Sequence, residues 1–224
     1  MEDVVIYLAS SSPRRRNLLE QLGVPFCVLN QEVDEAAATV GTPPRMLVQE
    51  LAQRKALAAA EKVAGGLVIG ADTIVCCGGQ ILGKPATQAE AEQMLFLLRG
   101  RQHEVYTGVA VVEEPSGNML VDFERTVVRF CPLTAKEIKA YAATGEPVGK
   151  AGAYAIQGLA AIFIEGIAGC YSNVVGLPLA CLARMLKVFG VDLLEPERIK
   201  VGNCKIPPDD QGDASKLKAP RTSA

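Results

Sequence analysis

The run from Leu67 to Val75 constrains the fold most, because it is apolar on both faces and holds a single carboxylate, Asp72. Such a run is typical of a strand that is covered on both sides, as in an α/β sheet. An ionised carboxylate there is costly unless it is paired, bound to a metal or placed at a wet end of the strand. Gly70 and Ala71 keep the space beside it small. A hairpin would bring Lys84 toward Asp72, and a carboxylate beside an ammonium suits phosphate chemistry.

The composition predicts a globular protein with one large domain or two joined lobes. The chain has 224 residues, of which 49% are hydrophobic, so it can bury a substantial core. Its formal net charge of −2 gives no overall attraction to nucleic acid or to anionic membranes. The acidic N-terminus does not resemble a signal peptide, and no segment is long enough to span a bilayer. We therefore expect a cytoplasmic protein with neither nucleic acid nor membrane as a partner.

The seven cysteines predict buried, reduced thiols. Their number is odd, no CxxC motif is present, and most of them lie in apolar segments. These features favour unpaired thiols over disulfides or a zinc site in a protein of this kind.

The start of the first predicted helix indicates an anionic ligand. Val4 to Ala9 predicts a buried strand, and the segment Ser10 to Arg16 follows it with three serines, a proline and three arginines. Ser12 suits the N-cap and Pro13 the first helical position. The free N–H groups of a helix start attract anions, whereas arginines oppose the helix dipole there. This mismatch favours a phosphate-like ligand, with a solvated arginine cluster on an ordinary helix as the alternative.

Two further charged features each allow two interpretations. The acidic cluster of Glu32, Asp34 and Glu35 is either a solvated loop or a metal site, since hard cations prefer carboxylate oxygens. Lys55 lies near the apolar face of a long helix that is predicted from Pro43 to about Ala64. It either extends its ammonium past that face into water or contacts a ligand.

His103 is the only histidine of the chain, and we interpret it as structural. Without a second histidine nearby it is a poor metal-ligand candidate. A single histidine, together with the lack of a GxSxG motif, also disfavours a Ser-His-Asp hydrolase.

The remaining pattern combines strand–helix units with a long antiparallel hairpin, formed by residues 104–112 and 119–130. The glycine-rich segment at 147–158 predicts a loop whose backbone approaches a ligand, and residues 159–164 predict a strand. From Glu195 onward the composition predicts a disordered tail. We expect a mixed α/β fold whose two lobes, within residues 1–194, enclose a central cleft, followed by a tail at 195–224.

Five motifs in this order resemble those of the Maf family of nucleoside triphosphate pyrophosphatases, over about Val4 to Phe189. They are Ser10-x-Ser12-Pro13-Arg14-Arg15, Ala71-Asp72-Thr73, Gly83-Lys84-Pro85, Lys150-Ala151-Gly152-Ala153-Tyr154-x-Ile156-Gln157-Gly158 and Asn173-Val174-Val175-Gly176-Leu177-Pro178. The resemblance implies a long, mixed, twisted sheet with two lobes and a central cleft, shared with the inosine triphosphatase group. It also implies a homodimer and a divalent cation, Mg²⁺ or Mn²⁺.

The resemblance further implies hydrolysis of a nucleoside triphosphate to the monophosphate and pyrophosphate. Arg14 after the Ser-Pro pair and Thr73 after the aspartate resemble the branch that acts on dTTP and UTP. One departure concerns the loop at Lys150, where the family usually has an aspartate in place of Gly149. Modified nucleotides are a second possible substrate class, which would make the activity a house-cleaning one.

Matched to this sequence, the resemblance implies roles for single residues. Asp72 falls on the proposed catalytic base, and Asp72 and Glu35 are the candidate metal ligands. The sequence leaves open whether Asp72 takes a proton from water or holds the metal. Residues implied in base choice are Arg14, Thr73 and Gln157, and residues implied in substrate binding are Ser10, Ser12, Arg14, Arg15, Lys55, Lys84 and Gln157.

A different class of function is also consistent with these residues. Members of the family have been associated with septum formation, so the chain could be a nucleotide-binding regulator of cell division with little turnover. Such a regulator needs the nucleotide site but no means of activating water.

Overall fold

The computed structural model describes residues 3–30 and 41–200. The strands are β1 (Val4–Ala9), β2 (Cys27–Val28), β3 (Gly66–Cys77), β4 (Gln80–Leu82), β5 (Gln102–Glu114), β6 (Met119–Phe130), β7 (Ile164–Ala168) and β8 (Ile199–Lys200). The helices are α1 (Pro13–Glu20), α2 (Pro44–Ala60), α3 (Gln88–Leu98), α4 (Ala135–Ala142), α5 (Tyr171–Val175) and α6 (Leu179–Val188). Short 3₁₀ turns occur at Ala151–Ala153, Leu159–Phe163 and Pro196–Arg198.

The strands form one mixed sheet of eight strands, which confirms the predicted fold class. The order is β2-β1-β3-β5-β6-β7, with β4 paired to β3 and β8 paired to β1. β1 is parallel to β2, β3 and β8, whereas β3, β5, β6 and β7 are antiparallel to one another in turn. The predicted hairpin is β5 and β6. None of the helices in the described ranges combines the length and the apolar composition that crossing a membrane requires.

One edge of β3 is uncovered at its middle, and this gap positions the site. β1 pairs with β3 only as far as Ala9 opposite Gly70, and β4 pairs with it only from Val75 onward. β1 is parallel to β3 and β4 is antiparallel to it. The segments that follow β1 and β4 therefore approach the middle of β3 from opposite directions.

The hydrophobic core divides at the same place. Leu67, Ile69 and Ala71 of β3 belong to a cluster that includes β1, α1 and α6. Val75 and Cys77 belong to a second cluster with α3, α4 and the end of β6. Thr73 stands between these two clusters, whereas Asp72, on the opposite face of β3, lies between Val68 and Ile74, which belong to two further clusters with α2.

Close approach of α2 to the sheet depends on two glycines. A Cβ atom at Gly70 would lie 2.6 Å from the backbone nitrogen of Ala56, and one at Gly108 would lie 2.7 Å from that of Gln49. Real Cβ atoms do not make such contacts, so α2 can rest on β3 and β5 only where a side chain is absent. This contact sets the height of Lys55 above the sheet.

The segment at 159–164, which we expected to be a strand, is instead the 3₁₀ turn Leu159–Phe163, and β7 begins at Ile164. Ala160 and Phe163 are buried, whereas Ile162 is exposed. A spacing of three between buried residues is that of a 3₁₀ turn, so the apolar run had been given the wrong period.

The prediction of reduced thiols is wrong for Cys27, which is disulfide-bonded. It holds for the other cysteines among the described residues, which are Cys76, Cys77, Cys131, Cys170 and Cys181. Sequence spacing could not identify the exception, because only the fold decides which sulfur atoms meet.

Order extends past Glu195, where the sequence predicted the tail to begin. Ile199 is 3% exposed, belongs to the core cluster of β1, and pairs with Val4 in the sheet. One apolar residue in a polar run is enough to add a short edge strand. Residues 201–224 lie outside the described residues.

His103 is buried between aromatic rings, in agreement with the structural role predicted for it. It is 2% exposed, and its Nε2 lies 2.8 Å from the hydroxyl of Tyr154. Its ring meets those of Phe130 and Tyr154 edge to face. Burial lowers the pKa of His103 from 6.5 to about 4, because the imidazolium would lose its hydration.

We expect Gly70→Ala to lower the free energy of unfolding by about 1–3 kcal/mol, because the added methyl group meets the backbone of α2. Gly166→Ala is the matched control, since its Cβ would come no closer than 3.6 Å to a flexible arginine side chain. Urea unfolding of both variants measures the difference. Equal stability of the two variants would contradict the close approach.

We also expect His103 to make stability depend on pH. Between pH 6.5 and about 4 the unfolded chain binds a proton that the folded chain does not. The wild type should therefore lose stability as pH falls through this window, by roughly 3 kcal/mol relative to His103→Gln at its lower end. Urea unfolding at a series of pH values measures this, and the single histidine can be titrated directly by NMR. A midpoint near 6.5 in the folded protein would refute it.

Candidate active site

A cavity of about 600 Å³ opens at the gap in the edge of β3. It is formed by the segment after β1, the start of α1, the segment after β4, and the loop that follows α4. Its polar lining consists of Ser10, Ser11, Ser12, Arg14, Arg15, Lys55, Asp72, Thr73 and Lys84. The site therefore lies beside the buried strand β3, where the segments that follow β1, β4 and α4 meet.

Asp72 and Lys55 form an ion pair at the floor of the cavity. Lys55 Nζ lies 2.5 Å from Asp72 Oδ1, and the two side chains are 12% and 6% exposed. The Lys55 ammonium is thus held in a buried ion pair and does not extend into water, and the ligand contact considered for it stays a prediction. Oδ2 of Asp72 accepts no hydrogen bond from the part of the chain that the structure describes. One carboxylate oxygen is held by the protein and the other is left for a ligand or water.

The start of α1 is arranged as an anion site. Ser12 occupies the predicted N-cap position, but its side chain makes no capping hydrogen bond. The backbone N–H of Ser12 instead donates to Ser10 Oγ at 3.2 Å. Because the first N–H groups of α1 are not taken by a capping side chain, the positive end of the helix faces the cavity.

Arg15 is held by oxygen atoms of three different elements. Its Nε donates to the carbonyl of Gly176 at 2.7 Å, and its two terminal nitrogens donate to Ser10 Oγ at 3.2 Å and Thr73 Oγ1 at 3.0 Å. Its planar fork therefore joins the end of β1, the middle of β3 and the end of α5. Although Thr73 and Asp72 are adjacent, they point to opposite faces of β3, as neighbours in a strand must.

Arg14 stands on the other side of the cavity, beside the loop after α4. Burial lowers the pKa of Arg14, which is half-buried near Tyr141. The pKa of the Lys150 ammonium is also lowered, mainly by burial and next by the positive charge of Arg14. Two partly desolvated cations lie close enough to disfavour each other, and an anion placed nearby would offset that repulsion.

Glu146 fixes the loop that carries Lys150. Its carboxylate accepts hydrogen bonds from the Tyr141 hydroxyl at 3.0 Å and from the backbone N–H of Leu159 at 3.1 Å. Its carbonyl accepts one from the ammonium of Lys150. Glu146 thus ties the two ends of the loop together. Sequence reasoning missed this residue, which had no motif and lay just outside the glycine-rich segment.

An apolar wall also lines the cavity. It consists of Val75, Val105, Ala151, Tyr154, Ala155, Ile156, Val174 and Val175. Tyr154, Val174 and Val175 lay in motifs that the sequence singled out, whereas Val75 and Val105 lay in ordinary strand patterns. The wall offers apolar contact to the less polar part of a ligand whose charged part meets the cations.

The structure brings together nearly all of the predicted site residues. Ser10, Ser12, Arg14, Arg15, Lys55, Asp72, Thr73 and Lys84 line the same cavity. Gln157 is exposed and is not among the lining residues. Glu35 lies outside the described residues, so its predicted metal-binding role stays a prediction.

The described residues fit a divalent cation that binds together with a phosphate ligand. Within residues 3–30 and 41–200 there is no cluster of three or more metal-ligating side chains. Among those residues, Asp72 is the one carboxylate that lines the cavity. Mg²⁺ is commonly held by one or two carboxylates, with substrate phosphates and water as its other ligands. The open Oδ2 of Asp72 meets that requirement.

Comparison with known proteins finds one matching family model and several similar relatives. The family model described as Maf-like protein matches residues 5–189. A protein of Pelotomaculum thermopropionicum named dTTP/UTP pyrophosphatase is 56% identical over 84% of this chain and 98% of its own length. One of Moorella thermoacetica with the same name is 51% identical over 84% of this chain and 96% of its own.

A solved structure shows a weaker likeness. It is a nucleoside triphosphatase, a dITP/XTP pyrophosphatase from Mycobacterium abscessus, with a TM-score of 0.39 and 17% identity over 58% of this chain and 76% of that one. At this level of similarity, the relation to the inosine triphosphatase group stays a prediction.

We expect Lys55→Met to lower the free energy of unfolding by about 3 kcal/mol, because it leaves the Asp72 carboxylate buried without its partner. Adding Asp72→Asn should restore part of the loss, since it removes the unpaired charge. Urea unfolding of the two single variants and the double variant measures the coupling. Strictly additive effects would show that the pair is not coupled. Lys187→Met is the control, because the Lys187–Asp192 pair is exposed to solvent and should matter little.

Proposed function

Because the chain belongs to the Maf family, we propose that it hydrolyses dTTP and UTP to the nucleoside monophosphate and pyrophosphate. The observation that supports this most is the content of one cavity, in which a paired carboxylate with an open oxygen faces several cations. The names of the relatives support the choice of dTTP and UTP. The cations suit three linked phosphates, and the apolar wall suits a base and sugar.

In the proposed reaction, water attacks the α-phosphorus and the bond to the bridging oxygen of the β-phosphate breaks. The proton of the water leaves to a base, and pyrophosphate carries away the negative charge that develops on that oxygen. Fixed cations and N–H groups aimed at the leaving group should therefore contribute most to the rate. The start of α1 with Ser10 and Ser12, together with Arg14 and Lys84, supplies such groups.

Asp72 is the proposed acceptor of the proton of water. Its Oδ1 is held by Lys55, which fixes the orientation of the carboxylate, and Oδ2 is left for water. A positioned carboxylate of this kind typically accelerates a reaction by 10²–10⁴-fold, a rough range for general bases. Lys55 thus binds the carboxylate and fixes its orientation.

A divalent cation, Mg²⁺ or Mn²⁺, fits this scheme. The described residue that could hold it is Asp72, with Glu35 as the further ligand that the family resemblance implies. When bound, such an ion would draw negative charge away from the phosphate oxygens.

Base selection is assigned to Arg14 and Gln157 as part of the same proposal. Arg14 lines the cavity near the loop after α4, where it can reach the less charged part of the ligand. The exposed position of Gln157 means that its side chain must turn inward, or the loop must close, for direct contact with a base. The homodimer and the cytoplasmic location that the sequence suggested stay predictions.

One assay tests the activity and separates it from a regulatory role. Purified protein is incubated with each of the common nucleoside triphosphates and with modified ones, with Mg²⁺, with Mn²⁺ and with a chelator. Release of pyrophosphate is measured. Turnover of dTTP and UTP above the other substrates supports the proposal. Nucleotide binding without pyrophosphate release would favour the regulator of cell division, and preference for modified bases would favour a house-cleaning role.

We expect Asp72→Asn to reduce kcat for dTTP at least about 100-fold, because the amide cannot accept the proton of water. Binding should survive, since the neutral side chain removes a negative charge beside the phosphates. Calorimetry with dTTP measures binding, and pyrophosphate release measures turnover. Asp122→Asn is the matched control, a partly buried carboxylate on β6 that does not line the cavity. Wild-type turnover by Asp72→Asn would rule out the assigned role.

A further inference from the structure

A network of hydrogen bonds runs from the cavity into the sheet, and the proposed mechanism does not use its inner part. We define this Thr107 network as Ser10, Arg15, Thr73, Thr107 and the carbonyl group of Asn173. Thr73 and Thr107 are direct partners in the pairing of β3 with β5, and their hydroxyl oxygens lie 2.9 Å apart. Thr107 Oγ1 lies 3.1 Å from the carbonyl oxygen of Asn173. Thr107 is fully buried and is not among the residues that line the cavity.

The direction of these hydrogen bonds follows from the number of protons. The carbonyl of Asn173 can only accept, so the single hydroxyl proton of Thr107 is donated to it. Thr73 must then donate its own proton to Thr107, and it accepts from the guanidinium of Arg15 at 3.0 Å. The alternative acceptor for Thr73, the carbonyl of Gly176, is farther away at 3.5 Å. Thr73 therefore has no proton left to donate to a ligand.

Counting protons in the same way shows that Ser10, unlike Thr73, has a hydroxyl proton left to donate. Its Oγ accepts from the backbone N–H of Ser12 and from Arg15, each at 3.2 Å. Both lone pairs of the hydroxyl are occupied, so its proton is directed to another acceptor. Ser10 lines the cavity, and a phosphate oxygen placed there can accept that proton. Arg15 is thus the link between a buried threonine and a donor that faces the ligand.

We propose that Thr107 is a positioning residue for the phosphate groups of the substrate, which it affects through Thr73, Arg15 and Ser10. The proposal rests on the proposed function for the identity of the ligand. It assigns Arg15 to orienting Ser10 and the start of α1. It also assigns Thr73 to holding Arg15, where the family resemblance implied a part in base choice.

Without the Thr107 hydroxyl, Thr73 loses its acceptor. Its proton then turns to the carbonyl of Gly176, which already accepts from Arg15 Nε at 2.7 Å. The hold on the guanidinium weakens at Thr73 and at the carbonyl of Gly176, and Ser10 loses its fixed direction. Since every nucleotide carries the same phosphates, binding should weaken equally for all bases.

The test uses Thr107→Val, which replaces the hydroxyl with a methyl group of similar size, and Thr107→Ser, which restores the hydroxyl. We expect Thr107→Val to raise KM for dTTP and for UTP by the same factor, about tenfold, with kcat within about twofold of wild type. The dissociation constant of pyrophosphate, measured by calorimetry, should rise by a similar factor. Thr107→Ser should bring these values back to within about twofold of wild type.

Thr126→Val is the matched control. Thr126 is also fully buried, and its hydroxyl bonds to Asn173 Nδ2 at 2.9 Å and to the carbonyl of Cys170 at 3.0 Å. No hydrogen bond joins it to Arg15 or Thr73 among the described residues. The Thr126→Val variant should lose stability, as Thr107→Val does, but should bind pyrophosphate as tightly as the wild type. Thermal unfolding of each variant sets a temperature at which all are folded.

Each outcome decides for or against the proposal. Wild-type pyrophosphate affinity in Thr107→Val overturns it, as does the same loss of affinity in Thr126→Val. A folded Thr107→Ser variant that does not regain pyrophosphate affinity overturns it. A rise in KM confined to dTTP or to UTP also overturns it, and would return Thr73 to base selection. If the wild type binds pyrophosphate but hydrolyses no nucleotide, the proposed function fails. The ratio of the pyrophosphate dissociation constants of Thr107→Val and wild type then still tests the role of Thr107. If the wild type neither binds pyrophosphate nor hydrolyses nucleotides, both are wrong.

Discussion

The structure depends on the burial of one carboxylate. Asp72 sits between the apolar clusters of Val68 and Ile74, in a strand whose residues are nearly all buried, and it is 5% exposed. A charge in such a place needs a partner, and α2 supplies one in Lys55. That contact requires α2 to rest almost on the backbone of β3, which Gly70 allows. The small residue in the strand and the lysine on the helix are therefore parts of one arrangement.

The sheet topology then decides what else can reach Asp72. β1 ends before it and β4 pairs only after it, so the edge of β3 is open just where the charge lies. Serines and arginines follow one strand and Lys84 follows the other. β1 runs parallel to β3 before the gap and β4 runs antiparallel to it after the gap. The groups that follow these two strands therefore meet at Asp72 from opposite directions. A continuous neighbouring strand would have closed the site.

The two faces of β3 separate two tasks. The Asp72 face meets α2 and holds the carboxylate for chemistry. The Thr73 face meets α1, α5 and Thr107, and it holds the guanidinium of Arg15 with neutral oxygens. These three oxygen atoms belong to two hydroxyl groups and one carbonyl group, which carry no net charge. Through them Arg15 orients Ser10 beside the cavity.

The sequence by itself determined the buried strand at Leu67–Val75, the serine–proline start of α1, the β5–β6 hairpin, and the identity of most of the polar residues that line the cavity. These features are local, since they depend on side-chain period, on capping residues and on short motifs. It did not determine the pairing of Lys55 with Asp72, the role of Glu146, the bond at Cys27 or the 3₁₀ turn at Leu159–Phe163. Each of those depends on which distant segments meet, and Thr107 in particular looked like any strand residue until β5 was placed beside β3. Only the tertiary structure decided them, because a hydrogen bond or an ion pair forms according to distance in space and not according to position along the chain.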